Sequence, residues 1–396
     1  MGKKYNQTVY ACFSSYIVQA IVNHFVPLLF LTFQKEYHIP LAQITLLVTF
    51  NFGIQLLIDL VSISFIDKIG YRLSMILAHI FSALGLILLT FLPEIVPSPF
   101  AGILISVMIY AIGGGLLEVL VSPIVESCPS QNKEKAMSML HSFYCWGHVG
   151  VILFSTVFFT VFGIEHWKLL ILIWALLPIG NAFAFIKVPI APLLKGNDTA
   201  LNLSGLLKNH TFWLLSLMMI CAGASEHAIS QWASAFAESS LNISKTIGDL
   251  IGPMGFAFLM GISRLFYGKY GDKIKLEKFM IFSALLCMLS YLGVSLFPIP
   301  ILSLLCCALC GLSVGIMWPG AISTASSLIP RGGTSMFALL ALGGDLGCSG
   351  GPTLVGMISD RFGGNLKIGI LIAVIFPLLL VLTLLRCHKM MKSANT

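Results

Sequence analysis

The chain has 396 residues, of which 57% are hydrophobic and only 10% charged; its mean hydropathy is +0.94 and its formal net charge +7. A water-soluble domain carries about 25% charged residues, so this composition excludes a soluble protein and identifies one whose solvent is the lipid bilayer. The positive charge lies in short loops without a basic run or groove, which argues against a nucleic-acid partner.

Crossing ~30 Å of hydrocarbon takes roughly 20 apolar residues at 1.5 Å per residue. Segments of that kind begin near residues 8, 42, 73, 98, 135, 166, 210, 246, 276, 299, 334 and 366. The pattern predicts an all-α polytopic membrane protein of twelve transmembrane helices. Six belong to an N-terminal half, 1–188, and six to a C-terminal half, 210–396. The first span follows MGKKYNQ and carries Gln, Asn and His, so it reads as a retained span and not a cleaved signal peptide. The only long polar stretch, 189–209 (PIAPLLKGNDTALNLSGLLKN), reads as the linker. Its turn formers precede a weakly amphipathic LNLSGLLKN suited to the membrane surface.

Orientation follows from the basic residues, because cytoplasmic loops hold the excess of Lys and Arg. With the N-terminus inside, 17 of the 23 fall in inner segments and 5 in outer loops. Both termini and the linker are therefore expected in the cytoplasm, with the protein in the plasma or bacterial inner membrane. The ten cysteines fall in spans or at the inner face, so no disulfide is expected; Cys306, Cys307 and Cys310 read as packing residues and not a metal site. No HExxH, Walker-type loop, GxSxG or paired CxxC occurs. An enzyme, a metal site and a cofactor are not expected.

Two stretches repeat at an offset of 197 residues: AIGGGLLEVLVSP from Ala111 on ALCGLSVGIMWP from Ala308, with one residue of slack, and SMLHSFYCWGHVG from Ser138 on SMFALLALGGDLG from Ser335. Duplicated six-helix halves are how many secondary transporters build a binding site. The ionisable groups are not duplicated, since Glu118 aligns with Gly315 and His148 with Asp345.

After the second span the chain reads Asp67-Lys68-Ile69-Gly70-Tyr71-Arg72, and after the eighth Gly268-Lys269-Tyr270-Gly271-Asp272-Lys273. These resemble the two copies of the cytoplasmic signature of the major facilitator superfamily, whose glycine permits close helix approach and whose charges can meet helix ends. Asp67, Lys68, Arg72, Asp272 and Lys273 are read as gating elements. Gly115-Leu116-Leu117-Glu118 with Ser122-Pro123, Leu140-His141-Ser142-Phe143-Tyr144 with Gly147, Gly223-Ala224-Ser225-Glu226 with Gln231-Trp232, and Gly261-Ile262-Ser263-Arg264 resemble the fucose-permease-like sugar symporters. That resemblance implies proton-coupled uptake of a monosaccharide by a functional monomer, with Glu118 matching the family's fourth-helix proton-handling acid. The chain departs from the pattern in helix 1, where it has His24 near the expected aspartate, and in helix 5, where His141 and Tyr144 replace amides.

Independently of the resemblance, an ionisable side chain at mid-membrane depth costs roughly 2.5–3.5 kcal/mol or more and marks a wet pathway. Glu118 lies midway along the fourth span beside three glycines and is the first candidate for a proton carrier. Glu226 and Asp345 admit either a proton-handling or a structural role. Asp59 and Arg264, near the ends of their spans, read as gate or scaffold. Helical spacing places Tyr16, Gln19 and Asn23 in one stripe, His141, Tyr144 and His148 in another, and His227 with Gln231 beside Trp232 in a third. These stripes are the expected ligands of a hydroxylated substrate, the alternative being interhelical hydrogen bonds worth about 0.6 kcal/mol each. Trp318 is a candidate aromatic plate or a packing residue, and Gly311 with Gly315 are close-packing positions.

The function expected is alternating-access uptake of a small polar solute, a sugar above all, driven by a proton gradient. An exporter of amphipathic compounds is the alternative, and a non-transporting sensor a weaker one. If the linker is cytoplasmic, a cysteine introduced by Gly196→Cys reacts with impermeant thiol reagents only after the cells are opened; labelling of intact cells reverses the assignment.

Overall fold

The computed structural model describes residues 5–128, 133–190, 203–270, 274–329 and 333–394, with 63–65, 67, 126, 133–138, 203, 204, 268, 326, 333–335, 337, 338 and 391–394 described by backbone alone. Helices make up every regular element among them. Contacts divide the chain into two compact units, Met1–Leu194 and Lys195–Thr396.

The first unit holds α1 (Asn6–Tyr37), α2 (Leu41–Ile69), α3 (Tyr71–Leu89), α4 (Pro99–Ser127), α5 (Lys133–Phe162) and α6 (Trp167–Lys187). The second holds α7 (His210–Ser240), α8 (Lys245–Tyr267), α9 (Leu276–Leu296), α10 (Pro300–Ala325), α11 (Gly333–Arg361) and α12 (Leu366–Met390). Among the described residues 11 of these satisfy both the length and the hydropathy of a membrane span. The remaining one, α11, has 29 residues, about 43 Å at 1.5 Å each, but Gly343, Gly344 and Asp345 dilute its hydrophobicity. The twelve starting points agree with those read from hydropathy.

Local chemistry sets the boundaries. Ser98 caps α4 by accepting from the Ala101 N–H at 3.4 Å, with Pro99 as first helical residue, and Asn209 caps α7 through Thr211 at 2.9 Å. The turn from α2 to α3 needs Gly70 at φ +83°, and that after α5 needs Gly163 at φ +88°, a region costly for a residue with a Cβ. Five spans are interrupted. α1 passes through a 3-10 turn, Val26–Leu29, at Pro27, whose missing N–H and ring break the α-helical ladder. α7 breaks after Ser230 and resumes in a π-helical turn, Phe236–Ser240. α8 breaks at Gly252, α10 between Val314 and Met317, and α12 after Ile372.

Glycines bring the helices of each unit together. In the first, a Cβ on Gly113 would lie 2.5 Å from the Ala78 carbonyl of α3. One on Gly114 would meet Val22 of α1 at 3.0 Å and the Gln55 carboxamide of α2 at 3.1 Å, and one on Gly115 the Gln55 backbone oxygen at 2.9 Å. Gly147 of α5 rests against α1, where a Cβ would lie 3.1 Å from both Ile17 and Ala20. The second unit repeats the plan. Gly311 and Gly315 of α10 are the close-packing positions expected, pressed on Phe256 and Ser263 of α8, while Gly347 and Gly351 of α11 abut the backbone of Ala224 in α7 at 2.7 Å. In both units the fourth helix packs glycines on the second, and the fifth on the first.

Two polar knots hold the first unit. His79 of α3 is fully buried; its Nδ1 donates to the Met75 carbonyl at 2.7 Å, and its Nε2 accepts from Asn181 of α6 at 2.8 Å. Asn181 also donates to Ser15 Oγ of α1 at 3.0 Å, so α1, α3 and α6 share one satisfied network. Arg72 donates to the carbonyls of Phe185, Ile186 and Val188 at 2.7–2.8 Å. Those carbonyls are the orphan acceptors at the negative end of α6.

The glycine contacts yield a stability test. Gly113→Val or Gly347→Val forces helices apart and should cost at least about 1–3 kcal/mol through overpacking, seen as a lower Tm of the purified protein in detergent. Gly150→Ala, with nothing within 4 Å of the new Cβ, should leave Tm unchanged or raise it.

Candidate functional site

The polar stripe of α1 is met first by α4 and then by α5 and α2. Tyr16 pairs its hydroxyl with Ser122 Oγ of α4 at 2.8 Å. One turn on, Gln19 Nε2 donates to Glu118 Oε2 at 3.0 Å. Asn23 follows, donating through Nδ2 to the Tyr144 hydroxyl of α5 at 3.4 Å and accepting at Oδ1 from Gln55 at 2.8 Å and Asn51 at 3.2 Å, both on α2. His24 Nε2 lies 2.9 Å from the same Tyr144 hydroxyl, and its ring stacks on His148 at 3.4 Å between centroids. Tyr16, Gln19, Asn23, His24 and His148 are buried, Glu118 and Tyr144 half-buried, and His141 exposed with its ring 5.4 Å from Tyr16.

Glu118 does not stand alone, since Asp59 of α2 presents a carboxylate oxygen within 4.8 Å of its own. Gly114 and Gly115, one turn before Glu118, are what let α2 approach so closely. Around this pair, Gln19 Oε1, Asn51 Oδ1 and Gln55 Oε1 are buried and have no hydrogen-bond partner among the described residues. A buried acceptor without a partner forfeits about 1–3 kcal/mol, so three in one region mark a place shaped for hydrogen-bond donors or a cation.

In the second unit Glu226 of α7 lies 3.8 Å from Arg264 Nη2 of α8 and 3.8 Å from His227 Nε2. The Arg264 guanidinium also donates through Nε to the Gly315 carbonyl at 3.2 Å, at the point where α10 breaks. Trp232 is fully buried and gives its indole N–H to the Pro352 carbonyl of α11 at 2.9 Å, tying the broken end of α7 to α11. Gln231 sits at the break itself, and Asp345 is buried on α11. The six-membered ring of Trp318 presses on Gly344, where a Cβ would be blocked by it, so the indole is held against the residue before Asp345.

Of the gating residues, Arg72 closes the end of α6 and Lys68 is exposed. The Asp67 side chain and residues Asp272 and Lys273 lie outside the described residues. Asn51 and Gln55 are missing from the sequence-level site. With Asp59 they form an i, i+4, i+8 stripe on an apolar helix, the signal that singled out the stripe of α1.

A family model of the Major Facilitator Superfamily matches residues 9–352. No curated protein matches the chain by sequence. Among solved structures it is similar to the E. coli fucose:proton symporter FucP, at 16% identity and TM-score 0.67 over 97% of this chain and 99% of that one. It is also similar to an inward-facing bacterial homolog of the human lysosomal transporter Spinster, at 14% identity and TM-score 0.78 over 98% of each chain. A D-xylose-proton symporter aligns at 13% identity and TM-score 0.77, again over 98% of each. At these identities the likeness establishes a common fold.

The Arg264 bridge is open to direct test. Arg264→Leu strands the buried Glu226 carboxylate and the Gly315 carbonyl together and should destabilise the protein by about 3 kcal/mol or more. Arg264→Lys, without the planar fork that reaches both partners, should recover only part. Thermal unfolding of the two variants beside the parent measures both effects.

Proposed function

The chain belongs to the Major Facilitator Superfamily, and from that premise we propose that this transporter carries out proton-coupled uptake of a sugar or a similar small polyol. The carrying observation is the Gln19–Glu118 hydrogen bond of 3.0 Å inside a shell of amides and aromatic rings. An acid held this way in the membrane can lose and regain a proton while neighbouring groups attend to a neutral, hydroxylated solute.

The residues divide the work by chemistry. Gln19, Asn51 and Gln55 offer carbonyl oxygens to sugar hydroxyls, and Tyr16 and Tyr144 offer hydroxyls that both donate and accept. The stacked His24–His148 pair gives a flat surface for the apolar face of a ring. In the second half Gln231, His227 and Trp318 are the corresponding candidates, with Glu226 and Asp345 as further acids. The names of two structural neighbours, a fucose:proton and a D-xylose-proton symporter, support this substrate class and coupling. The excess of Lys and Arg in one set of loops supports cytoplasmic termini.

Coupling then works through populations. A proton on Glu118 removes a charge that one state solvates better than the other, and only such a difference shifts an equilibrium between states. The helices α1 and α7 lose regular geometry next to Asn23 and Gln231, as expected where irregular backbone lines a cavity.

Replacing Glu118 by Gln keeps shape and hydrogen bonding but removes the exchangeable proton. Glu118→Gln should abolish accumulation of a radiolabelled sugar against its gradient in membrane vesicles while retaining counterflow exchange. A variant that still concentrates sugar, with unaltered response to the proton gradient, makes Glu118 structural and passes the role to Glu226 or Asp345.

A further inference from the structure

We propose that the stacked imidazoles of His24 and His148 form a second proton-binding site, which takes one proton for the two rings and uses it to turn the Tyr144 hydroxyl from a donor to His24 into a donor to the transported solute. The solute half of this inference rests on the reading of the chain as a sugar carrier. The proton site itself stands on the geometry of the rings.

How the rings lie is the first support. His24 of α1 and His148 of α5 are 4% and 1% exposed, with ring planes 8° apart and centroids 3.4 Å apart. Non-bonded carbons meet at about 3.5–4.0 Å, so this separation is one ring thickness and leaves no lateral offset. Two neutral aromatic rings avoid such a sandwich, because their negative faces oppose each other, and settle offset or edge-to-face with centroids about 4.5–7 Å apart. A cation over an aromatic face is attracted to it, whereas two cations face to face repel. One proton on the pair fits the arrangement better than none or two.

The backbone holds the rings there. Gly147, the residue before His148, rests on α1, where a Cβ would lie 3.1 Å from both Ile17 and Ala20, and Ala20 is one turn before His24. His24 also ends the α-helical part of α1, just before the 3-10 turn Val26–Leu29. A proton on this pair therefore sits at the point where α1 changes geometry.

The second support is the partner. His24 Nε2 lies 2.9 Å from the Tyr144 hydroxyl oxygen, which accepts from Asn23 Nδ2 at 3.4 Å. A phenol has one proton to donate. With His24 bare at Nε2, the phenol spends that proton on the ring. Once His24 takes up a proton, its Nε2–H donates to the hydroxyl oxygen, the bond reverses direction, and the O–H of Tyr144 turns to an acceptor on the solute. Around the pair, the titratable side chains of the packed helices are Tyr144 and His141 on α5, the latter against Tyr16 of α1, with Glu118 of α4 and Asp59 of α2 nearer Gln19. α3 and α6 meet α1 at Ser15, through His79 and Asn181.

The test is run without solute. Purified full-length protein in detergent, carrying 15N-histidine and 13C-tyrosine, is titrated by NMR between about pH 5 and pH 8, the range of an ordinary imidazole; His24→Gln, His148→Gln and Tyr144→Phe assign the signals. His24 and His148 are expected to respond together in one step of one proton, with the Tyr144 Cζ signal moving in the same step. Tyr144→Phe, which deletes only the hydroxyl, should shift the step by about half a pH unit or more, a threefold change in proton affinity, and carries the test if a histidine variant does not fold. The step should persist in Glu118→Gln. Two separate protonations, no proton uptake by either ring, or loss of the step in Glu118→Gln overturns the site; a Tyr144 signal that stays put overturns the switch. Uptake of radiolabelled fucose or D-xylose by a carrier whose pair takes no proton overturns this site alone. A one-proton step in a protein that takes up neither sugar leaves the site standing and removes the sugar reading.

Discussion

The chemistry of the first half depends on how closely α4 can approach its neighbours. Gly113, Gly114 and Gly115 present bare backbone to α3, α1 and α2 in turn, and a methyl group at any of them would press on its neighbour at 3.1 Å or less. In lipid no hydrophobic drive pulls helices together, so close packing and interhelical hydrogen bonds carry the association. The same contact brings Asp59 and Gln55 against the turn that bears Glu118. Scaffold and site are therefore one construction: the glycines that let the bundle form also set the distance between its acids.

The second half answers the same problem with different groups. Where the fourth helix of the first half carries Glu118, α10 carries Gly315, and there its helix breaks. The carbonyl exposed by the break is taken by Arg264, which at the same time faces Glu226. A half-buried guanidinium between a carboxylate and a freed carbonyl is satisfied on two sides, the condition under which a charge persists in a membrane interior. Glu226 thus faces a cation, whereas Glu118 accepts from the neutral amide of Gln19.

Much of this was legible before any coordinates. Hydropathy alone located the helices, because twelve apolar runs of the right length leave little choice of fold in a bilayer. The stripe of Tyr16, Gln19 and Asn23 was readable because helical spacing places these residues on one face, and each does find a partner on another helix. Asn51 and Gln55 obey the same rule on α2 and extend the face that carries Asp59. Sequence could not say which polar residues were committed to the scaffold. His79 looks as reactive as His148, yet both its ring nitrogens are engaged by Met75 and Asn181. Trp232, read as a ligand, gives its only donor to Pro352. Pro27 marks the break in α1; that in α7 has no such marker, since Ser230-Gln231-Trp232 contains neither proline nor glycine.

The glycine seams carry a consequence for how such a protein changes over generations. Contact between bare backbones sets the separation of two helices whatever side chains stand on the remaining faces. Residues such as Glu118, His148 and Asp345 lie beside the seams without forming them, so they can be exchanged without moving the helices that hold them. A duplicated half built this way inherits a frame and not a chemistry. That explains why the offset of 197 residues preserves Gly114 as Gly311 and Gly147 as Gly344 but not the ionisable groups next to them. A new cargo calls for substitutions at a few polar positions, and the glycine seams beside those positions are backbone contacts that such substitutions leave in place.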